Sequence, residues 1–70
     1  MGYSTGDRVE WDWGNGTASG TIEERFTQDV TRTIKGNEIK RTASVDEPAF
    51  LIRQGDGTPV LKSITELRKQ

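Results

Sequence analysis

Val9, Trp11 and Trp13 alternate with Arg8, Glu10 and Asp12, and a period of two predicts a strand with the apolar residues on one face. The strand follows the turn-prone Gly6-Asp7 and stops at Gly14-Asn15-Gly16, after which an extended pattern resumes, so a hairpin is predicted. Its second strand runs from Thr17 to about Thr27 and presents Ala18, Gly20 and Ile22 on one face. Gly20 inside that strand predicts a bulge or sharp bend. A second hairpin is predicted from Val30-Thr31-Arg32-Thr33-Ile34 and Ile39-Lys40-Arg41-Thr42-Ala43, with Gly36-Asn37 in a two-residue turn. That turn sets Ile34 opposite Ile39, Thr33 opposite Lys40 and Arg32 opposite Arg41, and it places Lys35 to pair with Glu38.

The remaining chain reads as two more strands and a cap. Pro48 biases Glu47 away from helix, so Ser44-Val45-Asp46-Glu47-Pro48 is a loop despite its Ser-x-x-Glu spacing. Ala49–Arg53 and Pro59–Lys62 are strands joined through Gln54-Gly55-Asp56-Gly57-Thr58, with Pro59 suited to a strand start or edge. Ser63-Ile64-Thr65-Glu66 has capping-box spacing with no breaker after it, which predicts one helical turn, and only the last few residues are expected to fray. Val9, Trp11, Ile22, Leu51 and Val60 are expected in one core. Short strands in this order, with turn signals between them, predict a small β-barrel.

Composition narrows the chemistry. Seventy residues make a single domain near the lower size limit for a self-sufficient core, and only 30% of them are hydrophobic. The five aromatics Tyr3, Trp11, Trp13, Phe26 and Phe50 must supply much of that core, and nine threonines favour strands. With no cysteine and no histidine, the chain has no disulfide, no thiolate chemistry, no ordinary zinc site and no imidazole base. Asp56-Gly57 lacks the further ligands of a calcium loop, and neither Gly14-Asn15-Gly16 nor Gly55-Asp56-Gly57 opens a phosphate-binding helix. Serines and threonines have no evident partner base, so no catalytic residue, metal or cofactor is assigned and the chain is not expected to be an enzyme. No apolar run approaches a membrane span and the N-terminus lacks signal-peptide character, which makes the cytoplasm the expected address and gives no membrane partner. Met1-Gly2 opens only a partial myristoylation pattern, because Gly6 stands where Ser or Thr is needed.

A long ordered pattern resembles a known family. Gly6-Asp7-x-Val9-x-Trp11-x-Trp13-Gly14 is followed by Gly20-Thr21-Ile22, Thr31-x-x-Ile34-Lys35-Gly36, Ala43-Ser44-x-Asp46-Glu47-Pro48-Ala49, and Asp56-Gly57-x-x-Val60-Leu61-Lys62-Ser63 with Glu66-Leu67. It is similar to the hypervirulence-associated protein Tudor domain of bacteria and fungi, formerly a domain of unknown function, and covers most of the chain. The resemblance implies an all-β, SH3-like (Tudor-like) barrel of five to six antiparallel strands over residues 1–70, with a projecting hairpin and a short C-terminal helical turn. It supplies no biochemical activity and no catalytic residues. More distantly, the start of the chain looks like Tudor and KOW barrels, which bind modified peptides and RNA or protein surfaces.

Two constellations are candidates for binding. Trp13, Tyr3 and Phe50, with Trp11, would form a cage for a methylated ammonium if their ring faces converged in the open. The competing reading of Trp11 is core packing, whereas Trp13 beside the turn and Tyr3 before the strand are expected to show an exposed face. Residues 25–41 carry Arg25, Arg32, Lys35, Lys40 and Arg41 against Asp29 and Glu38, a local +3 in a chain whose remainder carries −4. An Arg32–Arg41 cross-strand pair would be destabilising unless an anion, or Glu23, Glu24 or Asp29, offset it. The expected function is therefore a binding or adaptor module for a protein or peptide, with nucleic acid on the basic hairpin (Arg25, Arg32, Lys40, Arg41) and a structural homo-oligomer as the alternatives.

Overall fold

A computed structural model of the chain describes residues 3–70. Met1-Gly2, and with them the myristoylation reading, lie outside the described residues. Among the described residues, seven strands and one short helix follow in order: β1 (Arg8–Trp13), β2 (Gly16–Phe26), β3 (Val30–Ile34), β4 (Asn37–Arg41), β5 (Ala49–Gln54), β6 (Pro59–Ser63), a 3₁₀ turn (Ile64–Glu66) and β7 (Arg68–Lys69). Five form an antiparallel sheet in the order β6-β5-β2-β1-β7, and β3–β4 make a separate hairpin. The class is all-β, as the sequence predicts, with one short strand beyond the expected five to six. That strand is the C-terminus itself. Val9 pairs with Lys69 and Glu10 with Arg68, and Gln70 donates its N–H to the Arg8 carbonyl at 3.1 Å, so the tail is pinned where fraying is expected.

The sheet carries a core on each side. Val9, Trp11, Ile22, Phe50, Ile52 and Leu67 form one buried cluster, joined at its margin by Tyr3, Ala18, Val60 and Ile64. Val30, Ala49 and Leu61 form the other, beneath the β3–β4 hairpin with Phe26, Ile34 and Ile39. Alternation on β5 and β6 sorts the residues: Phe50, Ile52 and Val60 point to the first cluster, and Ala49 and Leu61 to the second. Leu51 is opposite Leu61 and only half-buried, so the expectation that it joins Val9 and Trp11 fails by one residue of parity; Phe50 and Ile52 take that place.

One bulge lets β2 serve both cores. Ile22 pairs with Ile52 and Glu24 with Leu51, which leaves Glu23 as the extra residue. An extra residue inverts the alternation downstream. Ile22 accordingly sits in the first cluster and Phe26, four positions later, packs against the second. The bulge is thus at Glu23, not at Gly20, whose pairing with Val9 and Gln54 is regular. Gly20 answers a different need, since a Cβ there would lie 2.6 Å from both the Arg53 carbonyl oxygen and Ile52 Cγ2.

The β3–β4 hairpin turns two residues earlier along its second strand than the sequence reading has it. Ile34 pairs with Asn37, Arg32 with Ile39 and Val30 with Arg41. The turn residues are Lys35 and Gly36, at φ 52° and 79°, and two positive φ values in a two-residue loop match the twist of the flanking strands. This register removes the Arg32–Arg41 opposition and the Lys35–Glu38 pair together, placing an isoleucine across from Arg32 instead of a like charge. Ser63 caps the 3₁₀ turn as predicted: its Oγ accepts from Thr65 N–H at 3.3 Å, and Glu66 accepts from Ser63 N–H at 2.8 Å. Ser44–Pro48 is a loop, closed by the Glu47 N–H donating to Ser44 Oγ at 3.1 Å.

Candidate functional site

Trp11 and Trp13 leave β1 on the same face and meet opposite fates. Trp11 is 4% exposed in the core, whereas Trp13, past the end of that core, is 74% exposed. Both line a groove of about 300 Å³ with Ala18, Gln54, Val60 and Lys62. β1 and β6 are separated in the sheet by β2 and β5, a span of roughly 14 Å at ordinary strand spacing. Lys62 Nζ nevertheless sits 5.9 Å from the Trp11 ring centroid, so the sheet curls and brings β6 toward β1 around this groove.

The three candidate aromatics do not converge. Phe50 is fully buried and lies near-perpendicular to Tyr3, ring centroids 5.8 Å apart at 87°. Tyr3 is half-buried, with Lys69 Nζ 5.9 Å from its ring. Trp13 alone of the three offers a broad open face. The cation-accepting face of Trp11 is taken by Lys62, which also lies 3.6 Å from Glu66.

The basic hairpin is divided rather than continuous. Arg32 stacks over Phe26 at 4.7 Å and reaches Glu24 at 3.9 Å, and it lines an open hollow of about 400 Å³ with Arg25. Arg41 donates through Nε to Glu66 at 2.9 Å. Thr31 and Lys40 face each other on the exposed side of the hairpin, away from the side that carries Arg32 and Arg41. Arg25 and Lys40 have no carboxylate partner among the described residues. Of the acids expected to offset the arginines, Glu24 does so weakly; Glu23 pairs with Arg53 at 2.6 Å, and Asp29 accepts from the Ala43 N–H at 3.1 Å.

Glu66 is the electrostatic hub of this end of the molecule. Partial burial raises its pKa, but the Ser63 N–H, the Arg41 hydrogen bond and the charges of Arg41 and Lys62 outweigh that and hold it below the ordinary glutamate range. Asp56 is lowered chiefly by the Thr58 N–H, with a smaller contribution from the charge of Lys35. Among the described residues no group of three or more acidic or other metal-binding side chains is gathered closely enough to hold a cation.

The matched family is the hypervirulence-associated proteins Tudor domain, whose model covers residues 6–67. The chain belongs to this family. The match spans β1 to Leu67 and so includes both cores, the basic hairpin and the tryptophan groove. No curated protein and no solved structure gives a significant match. Residues of this Tudor domain that line the groove but escape sequence reasoning are Ala18, Gln54, Val60 and Lys62. Alternation marks Val60 and Lys62 as sharing a face, but nothing local says that this face meets Trp11.

Proposed function

We propose that this Tudor domain is a non-catalytic binding module that recognises a protein or peptide segment through the groove between β1 and β6. The observation that carries this reading is Trp13, a large indole 74% exposed at the rim of a groove floored by Trp11 and Val60. A domain with so few apolar residues gains nothing in stability from a tryptophan in water, and exposed tryptophans beside apolar floors are the anchors of protein interfaces. The divided cations favour this reading over nucleic acid: a polyanion needs contiguous phosphate contacts, while Arg41 is tied to Glu66 and Lys40 faces away from Arg32.

Titration of ¹⁵N-labelled protein with a pool of short peptides tests the reading. Binding here shifts the Trp13 indole and the amides of Ala18, Gln54 and Val60. Trp13→Ala should abolish those shifts while leaving the melting temperature nearly unchanged, because an exposed side chain contributes little to folding. A peptide response that ignores Trp13→Ala, or no response to any peptide alongside a response to an oligonucleotide, refutes it.

A further inference from the structure

A second recess lies on the other side of β6, between that strand and the β3–β4 hairpin. Its volume is about 290 Å³, at the bottom of the range for small-molecule pockets and suited to one bulky side chain. Ile34, Ile39 and Pro59 supply apolar walls, and Lys35, Arg41 and Lys62 the polar ones; no carboxylate lines it among the described residues. Glu66 answers both Arg41 and Lys62, at 2.9 and 3.6 Å, while also accepting from the Ser63 N–H. Lys35 is in no ion pair among the described residues; its charge acts on Asp56, a carboxylate that already holds the Thr58 N–H at 2.9 Å. Three cations against two carboxylates already engaged with main-chain amides leave a positive excess in a chain whose net charge is −1.

The positions of the cations define the ligand further. Lys35 is in the hairpin turn, and Arg41 closes β4. The length of β4, roughly 13 Å between Asn37 and Arg41, separates positive charge at the two ends of the recess, with Ile39 between them. We propose that the recess takes an extended peptide segment in which one bulky aliphatic or aromatic residue has an acidic residue two positions away on each side, so that all three side chains share one face. The side chain fills the space between Ile34, Ile39 and Pro59; one carboxylate meets Lys35, and the other meets the opposite end, where Arg41 and Lys62 share the single Glu66 carboxylate and so keep one positive charge in excess. This rests on the peptide-recognition reading above and extends it, since Val60 and Lys62 also border the tryptophan groove and one segment crossing β6 reaches both. The chain presents a partial match of its own, Val45-Asp46-Glu47, with acids on one side only, Val45 73% exposed and both acids outside every ion pair among the described residues. A second copy is therefore the competing occupant.

The test is a chemical-shift titration of the full chain with a short peptide bearing a central Leu and a glutamate two positions away on each side. Expected are shifts at Ile34, Ile39 and Leu61 that vanish when Leu is replaced by Ala or the glutamates by lysines, and an affinity about tenfold lower in Lys35→Glu, the effect of losing one charge-assisted contact. Shifts confined to Trp13, Ala18 and Gln54 overturn the recess proposal and leave peptide recognition standing. An equal response to the lysine peptide, or a response to a single-stranded oligonucleotide in place of the peptide, overturns the charge argument. Shifts at Val45, Asp46 and the recess that grow with protein concentration alone assign the recess to a second copy and overturn the proposal. Silence of both grooves toward every peptide overturns this inference and the reading beneath it together.

Discussion

Replacing Gly20 with alanine is the sharpest test of how this sheet is packed. Gly20 is buried in the middle of β2, paired with Val9 on one side and Gln54 on the other. A Cβ at this position would meet Arg53 O and Ile52 Cγ2 at 2.6 Å each, about 1 Å inside ordinary van der Waals contact. Ile52 is fully buried, and the carbonyl belongs to the backbone of β5, so neither neighbour can yield without moving a central strand. Alanine would otherwise be favoured by roughly 0.4–1 kcal/mol through the entropy of the unfolded chain, but overpacking in a filled core costs about 1–3 kcal/mol. The clash prevails, for a net loss of about 1–2 kcal/mol. A domain of this size has a total stability of only about 4–10 kcal/mol, and each kcal/mol moves its melting temperature by about 4–8 °C. Thermal denaturation followed by circular dichroism should therefore show Gly20→Ala melting about 5–15 °C below the parent. Gly55, with no heavy atom within 4 Å of its would-be Cβ and no positive φ, is the control, and Gly55→Ala should melt within a few degrees of the parent. A Gly20→Ala protein as stable as Gly55→Ala would show that β2 and β5 are not in this close register.

Trp11→Ala should cost about 3–5 kcal/mol, a large part of the whole stability, because the ring is 4% exposed and shared between the core and the groove; a urea midpoint unchanged by the mutation would place the ring elsewhere. Lys35→Asn should stabilise the domain by several tenths of a kcal/mol to about 1, since a lysine at φ 52° bears a strain that asparagine tolerates and Asn-Gly is the preferred pair for this turn, as a thermal melt would detect. Glu66 has a folded pKa below its unfolded value, so the stability it contributes is present above the ordinary glutamate range and is lost as the pH falls through its lowered folded value. Chemical denaturation from pH 7 down to pH 3 should accordingly find Glu66→Gln less stable than the parent at neutral pH and the difference shrinking with acid; a constant difference would mean that the carboxylate's charge plays no part.

Period and turn chemistry carry most of the fold. β1, its hairpin to β2, the two late strands and the capped turn at Ser63 follow from alternation, Gly-Asn-Gly and Ser-x-x-Glu, because each is decided by neighbours within a few residues. What escapes is set by contacts distant in sequence. The Glu23 bulge has no local mark, since Ile22 and Phe26 at an even spacing look as though they share a face. Leu51 and its neighbours Phe50 and Ile52 form an unbroken apolar run, in which alternation has no polar partner to fix its phase. Trp13 was legible as an exposed candidate from its place beside the turn, but its groove partners Val60 and Lys62 come from a strand that only the curl of the sheet brings near.

The hairpin register shows how a small error in turn assignment propagates to function. Placing Gly36-Asn37 in the turn opposes two arginines and makes an anion the natural remedy. Placing Lys35-Gly36 there shifts the pairing by two residues, which keeps every side chain on its original face and changes only its neighbours. Arg32 then has Ile39 across from it and Phe26 beneath it, Arg41 reaches Glu66, and no like-charge pair remains for a ligand to relieve. The same shift moves Lys35 from a strand, where Glu38 would neutralise it, to the hairpin tip, where it borders the recess lined by Ile34 and Ile39. The register therefore removes the like-charge pair that would call for a polyanion on the hairpin and places Lys35 beside an apolar cleft, the combination on which the proposed acidic peptide rests.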